Sequence, residues 1–332
     1  MADIALTDTS STAVTSRAKA LRRFGRSDSR FRWSTTGSAI LIVVVFGGIL
    51  ATLISGSWLA MMTYGWGFIT GSTWNPVTEK FGALPAIYGT VVSSAIAMVI
   101  AVPLGIGIAI FLTEICPRHL RRPVGIAIEL LAGIPSIIYG IWGAFIFAPW
   151  FQDHLQQKLI DFFANVPVLQ DLFQGPPFGI GLFTAALVLA IMILPFIASV
   201  TRDVFETVPP MLKEAAYGTG CTTWEVMWRI VLPYSQAGVV GGAMLALGRA
   251  LGETMAVTFV VGNSHHIQES LFAPATTISA TIANEFAEAL GDKYVSSIIL
   301  CGLILMGLTF TVLALAQWML RRFERRAGGR SA

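Results

Sequence analysis

Residues 179–234 read GIGLFTAALVLAIMILPFIASVTRDVFETVPPMLKEAAYGTGCTTWEVMWRIVLPY. The run 179–200 contains no Asp, Glu, Lys or Arg and gives way abruptly to a charged segment. A helix crossing a bilayer core needs roughly 20 mostly apolar residues, so 179–200 has the length and character of a span. The segment after it is built differently. Pro209-Pro210 suits the first turn of a helix, where a missing amide donor costs little. The run through Glu214, Ala215 and Ala216 favours helix, and Gly218 and Gly220 supply a stop or tight turn. Thr222 with Glu225 three residues later is a capping box for a second helix running toward Ile230, and Pro233 then precedes another apolar run. The stretch predicts a membrane span, a helix–turn–helix lying against the membrane face, and a further span.

Working outward, five more apolar runs have spanning length: 37–62, 84–112, 124–150, 235–262 and 295–320. Each is far too long for a transmembrane β-strand. The composition agrees, with 55% hydrophobic and only 12% charged residues in a chain of 332, against about 25% charged in soluble domains. The mean hydropathy is +0.70. Disordered, collagenous and disulfide-scaffold classes are excluded, and the fold class is an all-α integral membrane protein with six transmembrane helices.

Charge sets the expected orientation. A polar leader, 1–35, holds Arg17, Lys19, Arg22, Arg23, Arg26, Arg30 and Arg32, and the tail 321–332 holds five more arginines. With 113–123 and the charged segment 201–233, one side carries 18 basic residues against Lys80, Lys158 and Lys293 on the other. The positive-inside rule then places both termini in the cytoplasm, with the spans forming one domain over 36–320. On the outer side, Phe151, Leu155, Leu159 and Phe162 recur at helical spacing, predicting a short amphipathic helix on the membrane surface, and Thr281–Leu290 predicts a second. Both fit a shield for the bundle or a rim for an external partner.

Few residues carry chemistry. Cys116, Cys221 and Cys301 lack metal-ligand spacing and read as small apolar fillers or free thiols, and His265-His266 reads as a polar loop. No metal site is expected. Arg249 stands about halfway along 235–262, where an arginine costs roughly 2.5–3.5 kcal/mol even on a lenient scale. Glu253 follows one turn later, at the spacing of an intrahelical pair. A buried structural pair and a substrate-path pair both fit; an arginine fork suits an oxyanion through two parallel hydrogen bonds. Around them, Gly238, Gly242, Ala246 and Ala250 form a small-residue face for helix packing, as do Gly248 and Gly252. In AGIPSIIYGIWG, Pro135 interrupts the third run two residues after Gly133. Broken helices in transporters mark substrate paths, which makes Ser136 a candidate polar contact; a plain proline kink fits as well. Glu129 is expected beside Arg121 or Arg122, or at a subunit contact.

Glu214-Ala215-Ala216, Gly220, Ile230, Leu232 and Pro233 match the pattern EAA-x3-G-x9-I-x-LP at every fixed position, and so resemble the EAA loop of ATP-binding-cassette importer permeases. AGIPSIIYGIWG and LGRALGETMAVTFVVGN further resemble the phosphate-importer permeases, the second stretch being closer to the PstC branch than to PstA. That resemblance covers about 36–320 and implies a type I importer fold. It also implies a PstA-like second permease, two PstB-like ATPases and a PstS-like binding protein outside. No cofactor is expected in this chain: ATP and Mg would be bound by the ATPase, since a P-loop needs GxxxxGK[ST] and none of the five lysines follows a glycine. The expected function is therefore a non-enzymatic permease subunit importing inorganic phosphate. Molybdate or sulfate import stays open, as do an ATPase-independent channel or carrier, which needs no EAA loop, and a membrane enzyme, for which only Glu129, Arg249 and Glu253 ionise within the spans.

Overall fold

The computed structural model describes residues 5–164, 166 and 169–328, with side chains from 31 to 322 except at 169. The ends of the predicted leader and tail, and the basic side chains of 17–30 and 325–330, lie outside the described part. The chain divides into two units, residues 1–55 and 56–332. The described residues of the first, 5–55, belong to one helix, α1, Ala5–Tyr64, which runs through the predicted leader into the first apolar run without a stop. The leader has no proline and only Gly25 to weaken it. Ile40 to Phe46 along α1 are all exposed, as a helix solvated by lipid tails allows.

In the second unit, a hairpin of β1, Trp74–Asn75, and β2, Lys80–Phe81, precedes the main helices. Next come α2, Leu84–Ile115, and α3, Arg118–Ala132, then α4, Ser136–Phe163, and α5, Leu182–Glu206. The chain continues with α6, Pro210–Gly218, α7, Thr223–Leu251, and the single turn α8, Met255–Thr258. It ends with α9, Ile278–Glu285, and α10, Asp292–Gly328. Among the described residues, five helices are long and apolar enough to cross a membrane: α1 from Phe31, α2, α5, α7 and α10. The sixth apolar run is a bent pair, α3 and α4, meeting at 85°.

The core forms where α2, α5 and α7 meet. Ala97 and Ala101 of α2 are buried with Ala185, Leu189 and Ile193 of α5 and with Ala246 and Ala250 of α7. Small residues let the backbones approach: a Cβ on Gly105 would stand 2.6 Å from the Ile197 side chain. The predicted small-residue face of α7 is an intrachain contact, with Gly238 against Val204 and Gly242 against Val200.

Three expectations are corrected. The fifth span is not 235–262, because its helix begins at Thr223 and ends at Leu251. Pro233 does not interrupt it, standing two residues beyond a wide π turn, Met227–Val231. The predicted surface helix after 151 is the continuation of α4, with no glycine or proline to stop it before Phe163; Phe151 is buried. The second predicted surface helix, Thr281–Leu290, is instead Ile278–Glu285, with its first turn buried and the Thr277 hydroxyl accepting from the Ala280 amide.

Candidate functional site

The loop between α5 and α7 folds as its residues dictate. Pro209 is extended and Pro210 opens α6. Gly220 has φ +88°, a left-handed conformation that favours glycine. The capping box is complete: Thr222 N–H donates to Glu225 Oε2 at 3.0 Å, and Glu225 N–H donates to Thr222 Oγ1 at 3.3 Å. Ala216 is buried with Ala109, Phe205, Val226 and Met227, while Glu214 and Ala215 stay exposed. Lys213 Nζ stands 2.6 Å from Glu114 Oε1, both largely buried, and pins α6 to the end of α2. Ile230 and Leu232 are half-buried and Pro233 is exposed. Outward from this platform project Met211, Tyr217, Trp224 and Trp228, the two indoles 5.3 Å apart. The tryptophan pair was legible as an i,i+4 aromatic spacing, but the EAA pattern does not include it.

The first break, Gly133–Pro135, turns the chain through 85°. Ser136 is half-buried at the first position of α4. Three residues on, Tyr139 Oη donates to the Leu131 carbonyl at 2.9 Å. The second break lies at Gly252–Thr254, between α7 and α8. Here Glu253 Oε1 accepts from the Ala256 amide at 3.3 Å and caps the single-turn helix. The two breaks are brought together: a Cβ on Gly140 of α4 would lie 2.9 Å from the Met255 carbonyl of α8.

Arg249 and Glu253 do not form the expected ion pair; among the described residues none involves Arg249. The helix stops at Leu251, so Glu253 is no longer one turn further along the same face. Carried seven residues beyond Gly242, the antiparallel register with α5 sets Arg249 level with Ile193, near the middle of that helix. Its side chain is exposed in the isolated chain.

Glu129 is also corrected. It pairs not with Arg121 or Arg122 but with Arg202 of α5, Oε1 to Nη2 at 2.7 Å. The bend lays α3 across α5, and Gly125 leaves the room: a Cβ there would stand 2.7 Å from the Arg202 guanidinium. Arg121 instead donates to the Thr113 carbonyl. Cys116 and Cys301 are buried and Cys221 half-buried, all free thiols, and no metal-binding cluster occurs among the described residues.

At the opposite end of the bundle His265 is not an ordinary polar loop residue. Its ring stacks on Trp74 at 5.3 Å, its Nε2 lies 3.4 Å from Glu285 Oε1, and the other Glu285 oxygen accepts from Tyr294. Burial pushes the imidazole pKa down, with the Glu285 carboxylate opposing and His266 assisting. No short motif signals this cluster, whose members are scattered from 74 to 294.

Residues 101–326 match the family of binding-protein-dependent transport system inner membrane components. The chain belongs to this family. The permease is 63% identical to the phosphate transport system permease protein PstC of Mesorhizobium japonicum, over 94% of this chain and 96% of that one. It is 56% identical to the PstC of Pasteurella multocida, over 90% and 93% of the two chains. Among solved structures, the permease fold resembles a bacterial alginate ABC transporter in complex with its pentasaccharide-bound periplasmic protein. That likeness has a TM-score of 0.59 at 16% identity, covering 90% of this chain and 97% of the other, and it speaks for the fold alone.

Proposed function

We propose that this permease passes inorganic phosphate into the cell, as the non-enzymatic membrane subunit of an importer powered by a separate ATPase that binds ATP and Mg. The observation that carries phosphate over molybdate or sulfate is the 63% identity, across nearly the full length of both chains, to a phosphate transport permease. Its partners are then a PstA-like permease, two PstB-like ATPases and a PstS-like binding protein. The ATPase docks on Glu214, Ala215 and the exposed aromatic face of Trp224 and Trp228. Both termini and this loop lie in the cytoplasm, as the basic asymmetry requires. Arg249 offers the passing anion its charge, with Glu253 and Ser136 beside it at the two breaks. Lone mid-membrane arginines are costly enough that they are found in functional paths.

The test is uptake of labelled phosphate by the four-component importer in proteoliposomes. Phosphate should accumulate in an ATP-dependent manner, and excess molybdate or sulfate should not compete. Transport of either competitor in preference to phosphate would overturn the assignment. Cysteines introduced at 170 and 325 should react with an impermeant thiol reagent from opposite sides, 170 from outside; labelling of both from outside would reject the six-span topology.

A further inference from the structure

Pro135 has no amide hydrogen, so the carbonyl four residues before it, that of Leu131, loses its helical partner. The Ile134 amide reaches that carbonyl only at 3.3 Å, at the edge of hydrogen-bonding range. Tyr139 Oη supplies the better bond, at 2.9 Å, from one turn beyond the break. A carbonyl left unmatched in a membrane interior is costly, so this hydroxyl fills the place of the missing amide. The ring is half-buried where α4 meets α8, and the close contact at Gly140 prevents this turn of α4 from rotating away. Arg249 stands in the last turn of α7, at the near edge of the second break, and the far edge of that break, Met255, meets α4 at Gly140.

We propose that Tyr139 is a positioning residue for transport: its hydroxyl latches the 85° bend and so holds the wall of the path that faces Arg249. This rests on Arg249 lining the path. A hydroxyl beside a bare cation donates more strongly than one beside a cation neutralised by an anion. The latch is therefore tightest while the path is empty and eases when phosphate sits on Arg249.

The experiment compares wild type, Tyr139→Phe, and Tyr139→Phe combined with Pro135→Ala in the complete importer, reading phosphate moved per ATP hydrolysed. This ratio is independent of how much permease assembles. Removing one hydroxyl should lower it about fivefold, the scale of one hydrogen bond, because hydrolysis without phosphate rises. Pro135→Ala returns an amide to the Leu131 carbonyl. It should restore the bend's hydrogen bond but not the response to phosphate, so hydrolysis in the empty state falls back while phosphate no longer stimulates it. An unchanged ratio in Tyr139→Phe would overturn the proposal, and so would full recovery of stimulation in the double variant, which would leave backbone satisfaction as the tyrosine's whole role. Should wild type prefer another oxyanion, the phosphate reading fails, and the same ratio measured with that anion still decides the role of Tyr139.

Discussion

The two helix breaks that meet in this permease are made in opposite ways. The bend at Gly133–Pro135 is written into the covalent chain, because proline cannot donate and its ring clashes with the preceding turn. The gap at Gly252–Thr254 is not. Gly252 has φ −92° and ψ 0°, values other residues adopt, and it is no proline. What holds the gap is the Glu253 carboxylate on the Ala256 amide. One break is permanent and the other is kept open by a side chain, so the second is the softer element beside Arg249.

The largest effect should come from the charge between the breaks. Arg249→Gln should cut phosphate uptake by on the order of 100-fold or more, the scale of two charge-assisted hydrogen bonds, with membrane abundance unchanged. Arg249→Lys should recover little, since a point charge lacks the planar fork. Full uptake by an Arg249→Gln, Glu253→Gln double variant would instead make the two residues a structural pair.

Next in size is the turn that needs its glycine. Gly220→Leu should cost on the order of 1–2 kcal/mol through its left-handed φ alone, and Gly220→Asn distinctly less. Nothing surrounds the position within 4 Å, so steric clash is not the cause. Co-purification of the ATPase reads the difference, and equal retention with Leu and Asn would contradict it. Glu214→Lys should weaken the same docking through an exposed charge reversal.

The soft break has its own signature. Glu253→Ala removes the cap, worth about 1 kcal/mol, and should lower uptake about fivefold, whereas Glu253→Gln keeps an acceptor oxygen and should lose less. Equal losses would assign the role to the negative charge instead of the cap.

The smallest effect lies far from both breaks. Burial holds the His265 pKa below its ordinary value of 6.5, so the folded permease binds that proton less readily than the unfolded chain. Its stabilising contribution is complete above about pH 6.5 and declines as pH falls through that value toward the folded pKa. Hydrogen exchange at 74–81, corrected for intrinsic rates, should quicken at pH 5.5 relative to 7.5. In His265→Gln that pH response should vanish.

What the residues revealed in advance follows the same division. Pro135 announces its break, and the EAA loop folds as its prolines, glycine and capping box require, because those signals are local. Gly252–Thr254 carried no such signal, and an apolar run that continued to 262 concealed the end of α7. Glu129 found Arg202 because the bend carries α3 onto α5, an arrangement that spacing along one helix cannot show. The cluster of Trp74, His265, Glu285 and Tyr294 joins residues more than 200 positions apart, and only the packed chain brings them together.

Helix α7 runs from Thr223, beside the exposed Trp224, through the π turn at Met227–Val231 to Leu251 at the soft break. Its 29 residues make a rod about 43 Å long at 1.5 Å per residue. Such a rod resists stretching and compression far more than a loop does. A displacement imposed at the tryptophans is delivered to Gly252 with little loss. Strain so delivered would concentrate where the backbone is held by one carboxylate instead of a ladder of hydrogen bonds.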